Sequence, residues 1–204
     1  MFSLPLGALL HTLHCLPEHS TQADIHPVGL YLSGHVQVDL GKKWIAAVVN
    51  RSFLDEDTSD VVSVWSRSSG SLVFQGFPHP MGVSVSGLAV SEDNVFTGGG
   101  DGRVARIQKT GEGWNAELLE GRSGQHVTHM ECRGRWCVVG GRREAQLWDM
   151  ETMAPEEGVK PVTIKVTMLC FKHPHVFIIG GRDFGGIQVT AVGYFSPCLR
   201  CGTC

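Results

Sequence analysis

Along most of the chain, apolar and polar positions alternate in runs of about four to eight residues, closed by Gly, Asp, Asn or Ser. A period of two puts successive side chains on opposite faces of an extended backbone, so these runs read as half-buried strands. The first group is Val36 to Leu40, Trp44 to Val49, Val61 to Trp65 and Leu72 to Phe77. A second follows at Val85 to Val90, Asn94 to Gly99, Val104 to Ile107 and Trp114 to Leu119. The third is Val127 to Cys132, Trp136 to Gly141, Ala145 to Trp148 and Val162 to Ile164. The last holds Val166 to Phe171, Val176 to Gly181 and Ile187 to Val189. β-branched and aromatic residues dominate these runs, and little room is left for a helix between them.

The groups are copies of one another. Asn94-Val-Phe-Thr-Gly-Gly99, Trp136-Cys-Val-Val-Gly-Gly141 and Val176-Phe-Ile-Ile-Gly-Gly181 superimpose, with the Gly-Gly pairs 42 and 40 residues apart. The first group lacks the pair and carries an acidic insertion, Asp55-Glu-Asp57 to Asp60. Aligning Trp65, Ile107, Trp148 and Val189 gives steps of 42, 41 and 41 residues. Each unit of ~41 residues therefore reads as four short antiparallel strands. A single unit of this size leaves a face uncovered, so the units must stack on one another.

Trp148-Asp149 seven residues after Gly140-Gly141, and Gly99-Gly-Asp-Gly-Arg-Val104 leading into Ile107, resemble the WD-repeat β-propeller family over residues 34–192. In that resemblance Asp101 and Asp183 occupy the turn between second and third strands, where the third unit has Arg143. The third-strand Trp is present at Trp65 and Trp148 and replaced by Ile107 and Val189 elsewhere; Asp149 alone supplies the following Asp, and the Gly-His pair is intact only at Gly34-His35. The resemblance implies an all-β, propeller-like array of about four four-stranded antiparallel blades. Propellers of this family usually have about seven blades, so the array is short and reads as an incomplete or small ring.

Residues 1–33 form an N-terminal segment and residues 193–204 an irregular tail. Leu9 to Leu13, after Gly7-Ala8, fits the outer strand that would close a small ring, although Leu6, Leu9, Leu10, Leu13 and Leu16 also fall at helical spacing. The other reading is a truncated chain whose open blades pair with a longer chain or a partner. It is preferred because Phe195 to Cys204 carries no propeller pattern. The N-terminus lacks a basic leader region and has His11 and His14 inside its apolar run, against a secretion signal.

Composition narrows the function classes. Lys and Arg number 17 and Asp and Glu 20, a net charge of −3, so no single-sign field favours nucleic acid or an anionic membrane. The densest apolar runs are strand-sized, far below the ~18 residues of a membrane span. Glycine is abundant, 26 of 204 residues, as tight turns and close backbone approaches require. Cys15, Cys132, Cys137 and Cys170 are scattered singly, and three of them lie in apolar strand-like runs where a reduced Cys packs as a small hydrophobe, which favours a reducing, cytoplasmic compartment.

Candidate chemistry is thin. Cys198-x2-Cys201-x2-Cys204 supplies three thiols, but a closed zinc site needs a fourth ligand, from His173, His175 or another chain; a flexible tail is the plainer reading. Gly98-Gly-Gly-Asp-Gly102 is followed by no Gly-Lys-Ser/Thr and reads as a turn, not a phosphate loop. The acidic insertion reads as a solvated loop. Arg103, Arg106, Arg122, Arg133, Arg135, Arg142, Arg143 and Arg182 gather in turns and strand ends, and Arg103, Arg142, Arg143 and Arg182 are the candidate rim for a partner. The expectation is a non-catalytic interaction scaffold or adaptor with protein partners and no cofactor or metal; the resemblance adds substrate recruitment in a larger complex. The competing expectation is a small propeller hydrolase, in which several of Asp101, Asp183, His35, His126 and His129 converge on one pocket.

Overall fold

The computed structural model describes residues 36–49, 60–122, 125–156, 159–163, 165–172, 175–181 and 187–193, the strands beyond residue 163 by their backbone. The N-terminal segment, the closing strand expected at Leu9 to Leu13, His35, Asp55 to Asp57, His173, Arg182, Asp183 and the Cys198/Cys201/Cys204 tail lie outside the described residues. No helix occurs among the described residues, and so none is long and apolar enough to cross a membrane.

Four antiparallel sheets follow one another in chain order. The first is β1 (Val36–Leu40), β2 (Trp44–Val49), β3 (Val61–Ser66) and β4 (Leu72–Gly76); the second is β5 (Val85–Val90), β6 (Asn94–Gly99), β7 (Arg103–Thr110) and β8 (Gly113–Arg122). The third is β9 (Val127–Arg133), β10 (Trp136–Gly141), β11 (Ala145–Asp149) and β12 (Ala154–Pro155); the fourth is β13 (Lys165–Lys172), β14 (His175–Gly181) and β15 (Ile187–Gly193). Within each sheet, strand neighbours in sequence are neighbours in space. The first strand of each sheet packs against the first strand of the next, giving a propeller-like array in which no comparably extensive contact joins the fourth sheet to the first among the described residues.

Two expectations need correction. The outer strand of the third sheet is Ala154–Pro155, while of the strand expected at Val162 to Ile164 only a bridge at Val162 forms and Ile164 lies outside the described residues. The chain turns back directly after Asp149, whose Oδ1 accepts the Glu151 N–H at 2.9 Å, and Met153 takes the left-handed conformation at φ 56°. Val162 makes only an isolated bridge to Ala145, on the same outer edge of β11 that carries β12, with 2.9 Å bonds in both directions. The fourth sheet has three described strands, because a fourth would fall beyond Gly193.

The strand register explains the repeat. Trp65 pairs with Ile45, Ile107 with Val95 and Trp148 with Cys137. Val95 and Cys137 each stand three residues before a Gly-Gly pair; in the fourth sheet that residue is Phe177, and its partner is Ala191, while Val189 pairs with Ile179. A longer connection between β14 and β15 moves the equivalent position two residues along from Val189.

Two apolar layers hold the stack. Ala46, Val48, Val62 and Val64 of the first sheet meet Val85, Leu88, Val90, Val95 and Ile107 of the second, and Trp44 stands edge-on to Trp114 at 4.7 Å between centroids. Ala89, Phe96, Val104 and Leu119 of the second sheet meet Val127, Met130, Cys137, Val139 and Trp148 of the third. The aligned third-strand residue thus faces the preceding sheet: Ile107 toward the first and Trp148 toward the second. Leu147, the position before Trp148, lies on the other face with Val138, Val159 and Val162.

The Gly-Gly pairs make this stacking fit. A Cβ on Gly98 would overlap the Val127 side chain of the next sheet, and within the third sheet itself one on Gly141 would overlap the His126 carbonyl in the connection before β9. Neither obstacle is the end of a flexible chain, so the requirement is for space rather than backbone freedom.

Trp148 is fully buried, and its indole N–H has no hydrogen-bond partner among the described residues. Trp148→Ala is expected to cost about 3–5 kcal/mol through lost burial and the cavity left behind. Trp148→Phe, which removes a polar group that is bonded to nothing, is expected to cost clearly less. Thermal unfolding of the two variants checks this; equal losses would show that the indole N–H matters.

Candidate functional site

The connections that precede β5 and β9, and the turns β6–β7 and β10–β11, share one rim. Gly100 N donates to Ser84 O at 2.8 Å, and Gly102 packs against the backbone of Gln125. The rim therefore runs continuously from residues 77–84 through 99–103 and 125–126 to 141–144.

Each turn on this rim is clamped differently. Asp101 Oδ1 accepts the Arg103 N–H at 3.1 Å within its own turn, as turn aspartates do. His79, buried in the connection before β5, bonds Thr97 Oγ1 at 3.0 Å and lies against Gly99 beside Asp101. The third sheet has Arg143 where Asp101 stands, and Gln125 replaces the missing carboxylate. Its Oε1 accepts the N–H groups of Arg143 and Glu144 at 2.8 and 3.3 Å, while its Nε2 donates to Glu144 O at 2.7 Å. His79 beside Gly99 and Gln125 beside Gly141 are equivalent in place and unlike in chemistry.

Reading the sequence for a Gly-His pair passes over both residues. His79 follows Pro78 well before β5, and Gln125 lies two residues before β9. The usable signal was polar side chains in the connection before each inner strand. Asp60 also departs from its expectation: it is 2% exposed, and its Oδ2 accepts the Val85 N–H at 2.6 Å, tying the first sheet to the second. It is not part of a solvated loop.

The arginines do not form one set. Arg142 and Arg143 are exposed on the rim, and among the described residues neither is in ion-pair contact with an acid. Arg103 stands beside them at 3.7 Å from its own Asp101, a loose pair. Arg133 and Arg135 flank the β9–β10 turn at the opposite end of the strands, and Arg106 is paired across β7 and β8 with Glu117 at 2.7 Å. Arg135 holds Asp149 through two guanidinium bonds, Nε to Oδ1 at 2.8 Å and Nη2 to Oδ2, and reaches Glu151 at 3.0 Å. That bonding keeps the Asp149 carboxyl below its usual range, and Asp149 ties β11 to the β9–β10 turn. The rim also presents two exposed apolar side chains, Phe77 at 58% and Met81 at 68%.

The inner strands β1, β5 and β9 border an open groove of about 280 Å³ lined by Gln37, Asp39, Ser86, Thr128, His129 and Glu131 among others. Asp39 Oδ2 accepts the Val90 N–H at 2.6 Å and Gln37 Nε2 donates to Ser86 O at 2.6 Å, stitching β1 to β5. Burial, and then the charge of Asp39, push the Glu131 carboxyl above its usual value. Of the three described residues proposed for a hydrolase pocket, Asp101, His126 and His129, only His129 lines this groove. His126 stands at its margin, 3.2 Å from Ser86 Oγ, with its imidazole value lowered by burial and by Arg142. Asp101 closes its turn, and His35 and Asp183 lie outside the described residues. No group of three or more His, Cys, Asp or Glu side chains suits a metal ion among the described residues.

Burial lowers the His79 imidazole below its ordinary value of 6.5, although Asp101 and Asp60 oppose the shift. A depressed value means the unfolded imidazole takes up a proton that the buried one resists. The stability contributed by neutral His79 is complete above pH 6.5 and is lost as pH falls below it. The melting temperature should drop between about pH 7.5 and about pH 5.5, and less steeply in His79→Gln. Parallel slopes for parent and variant would remove His79 from the acid response.

No family model matches the chain. A stretch of 87 residues is 30% identical to WD repeat-containing protein 90 of Xenopus tropicalis; it covers 43% of this chain and 5% of that protein. The chain thus spans a small fraction of that relative. Among solved structures, the computationally designed Ika4 protein superimposes with a TM-score of 0.56 at 20% identity, over 76% of this chain and 89% of that one. The computationally designed Ika8 protein gives 0.57 at 18% identity, over 76% of this chain and 45% of that one. A chain of the Mitotic Checkpoint Complex gives 0.53 at 15% identity, over 76% and 46%. At these identities the structural likenesses establish the propeller-like fold alone.

Proposed function

We propose that this chain is a non-catalytic protein-interaction scaffold whose partner seats on the rim of residues 77–84, 99–103, 125–126 and 141–144. The observation that carries the reading is that one rim, clamped from beneath by His79, Asp101 and Gln125, carries both the exposed Arg142 and Arg143 and the exposed Phe77 and Met81. Rigid sheets that present short loops in fixed relation suit recognition. Local similarity to a WD-repeat protein supports a protein partner. The net charge of −3 speaks against nucleic acid or an anionic membrane as the principal partner. A cytoplasmic location and substrate recruitment within a larger assembly belong to the same proposal.

The hydrolase reading has less behind it. His126 and Ser86 are within hydrogen-bond distance, but Asp101 is spent on its own turn and the described residues supply no acid to orient the imidazole.

Replacing both Arg142 and Arg143 by Glu is expected to reduce recovery of captured partners and to flatten the salt dependence of capture, with the melting temperature of the chain nearly unchanged. Affinity capture followed by mass spectrometry, at low and high salt, measures this. Equal capture by parent and variant at low salt would remove the arginine rim from the binding surface.

A further inference from the structure

Cys132 on β9 and Cys137 on β10, expected as separate reduced thiols, are joined by a disulfide. They are five residues apart around the short β9–β10 turn, and the register sets them directly opposite each other. The neighbouring strands are already held by their ladder and turn, and closing so short a loop removes little freedom from the unfolded chain. A purely structural staple therefore gains comparatively little at this place.

The two sulfurs have different surroundings. Cys137 is fully buried in the layer that contains Phe96, Val127, Met130 and Trp148, whereas Cys132 is partly buried at the edge of that layer. An incoming thiolate thus has access to the Cys132 sulfur first. Opening the bond makes two sulfurs move from bonding to van der Waals separation in a close-packed layer, and the displacement falls on β9. That strand carries Val127 and Met130 against Gly98 and Gly87 of the second sheet, and His129 and Glu131 on the groove.

We propose that Cys132 and Cys137 form a reversible thiol–disulfide switch that sets how tightly β9 packs on the second sheet. A dithiol reductant opens it. One thiolate of the reductant bonds to the Cys132 sulfur, the Cys132–Cys137 bond breaks, and the Cys137 sulfur leaves with the electron pair and takes up a proton. The second thiol of the reductant, as thiolate, then attacks its own mixed disulfide and releases Cys132, which is protonated in turn. The protein gains two electrons and two protons, and the reductant becomes a disulfide. A disulfide oxidant such as oxidised glutathione reverses the exchange.

The test uses the full chain purified without reductant. Alkylation under native conditions and peptide mapping should show residues 127–142 as the disulfide-linked form. Dithiothreitol added to the native protein should make both thiols alkylatable without global unfolding, Cys132 the faster of the two once the pair is fully reduced because it is the more exposed, and loosened packing of β9 should lower the melting temperature by about 3–8 °C. Oxidised glutathione should restore the original value. Cys132→Ala should show no such reductant-dependent shift, which separates this pair from the other cysteines; the measurements on the parent chain stand even if the variant folds poorly. Three results would each overturn the proposal: a pair already reduced in the purified chain, a disulfide that resists reduction until the whole chain unfolds, or one melting temperature in both redox states.

Discussion

The constraint on which the rest depends is that none of the first three sheets covers its own faces. Each is a single layer of short strands with apolar side chains on both sides, and the second buries one face on the first sheet and the other on the third. Ile107 and Trp148 are repeat-equivalent because both project toward the preceding sheet, so the apolar layer is shared property and cannot be assigned to either blade. Stability is accordingly a nearest-neighbour quantity. The glycine pairs belong to the same constraint, since the Val127 side chain occupies the space that a Cβ on Gly98 would need.

Once the stack is fixed, hydrogen bonds at strand ends set its register. Asp39 and Asp60 each spend a carboxylate oxygen on a backbone N–H of β5, at Val90 and Val85, so the first sheet grips both ends of the second sheet's inner strand. Charge-assisted bonds of this kind to partly or fully buried amides are worth more than exposed ion pairs such as Lys42–Glu92, which are screened by water and salt. The same economy appears at the turns: Asp101 closes one from within, and Gln125 closes the next from the preceding connection. Turn geometry is kept while the turn residue itself changes, which frees Arg143 to face solvent.

The sheets were legible in the sequence because two strong signals agreed, the period of two within strands and the ~41-residue period between units. Legibility failed where a short element depended on contacts made elsewhere. Ala154–Pro155 is too brief to show a period, whereas Val162 to Ile164 shows one although only Val162 is seen to bridge β11. Val189 kept the numerical spacing but not the pairing, because turn length, unlike strand length, is not constrained by stacking. The site was harder still. His79, Gln125 and Asp60 act through partners distant in sequence, and the Cys132–Cys137 bond depends on register, which no count of cysteines reveals. The arginines were visible as a group only because sequence does not distinguish the two ends of a strand.

The rim's composition also constrains how it would bind. The whole chain is slightly acidic, so beyond a Debye length of ~8 Å the rim cations are offset and screened, and long-range attraction of an acidic partner is weak. Two exposed guanidiniums at short range then contribute mainly orientation and selectivity. Most of the binding free energy would have to come from apolar burial, and on this rim Phe77 and Met81 are the large apolar side chains still substantially exposed. Pro78 and Pro80 flank His79 between them, and the Thr97 bond anchors that histidine, so both anchors project from a backbone that is already ordered before a partner arrives. A surface prepared in this way loses little conformational entropy on binding, which is the advantage a rigid stack of sheets has over a mobile loop for recognition.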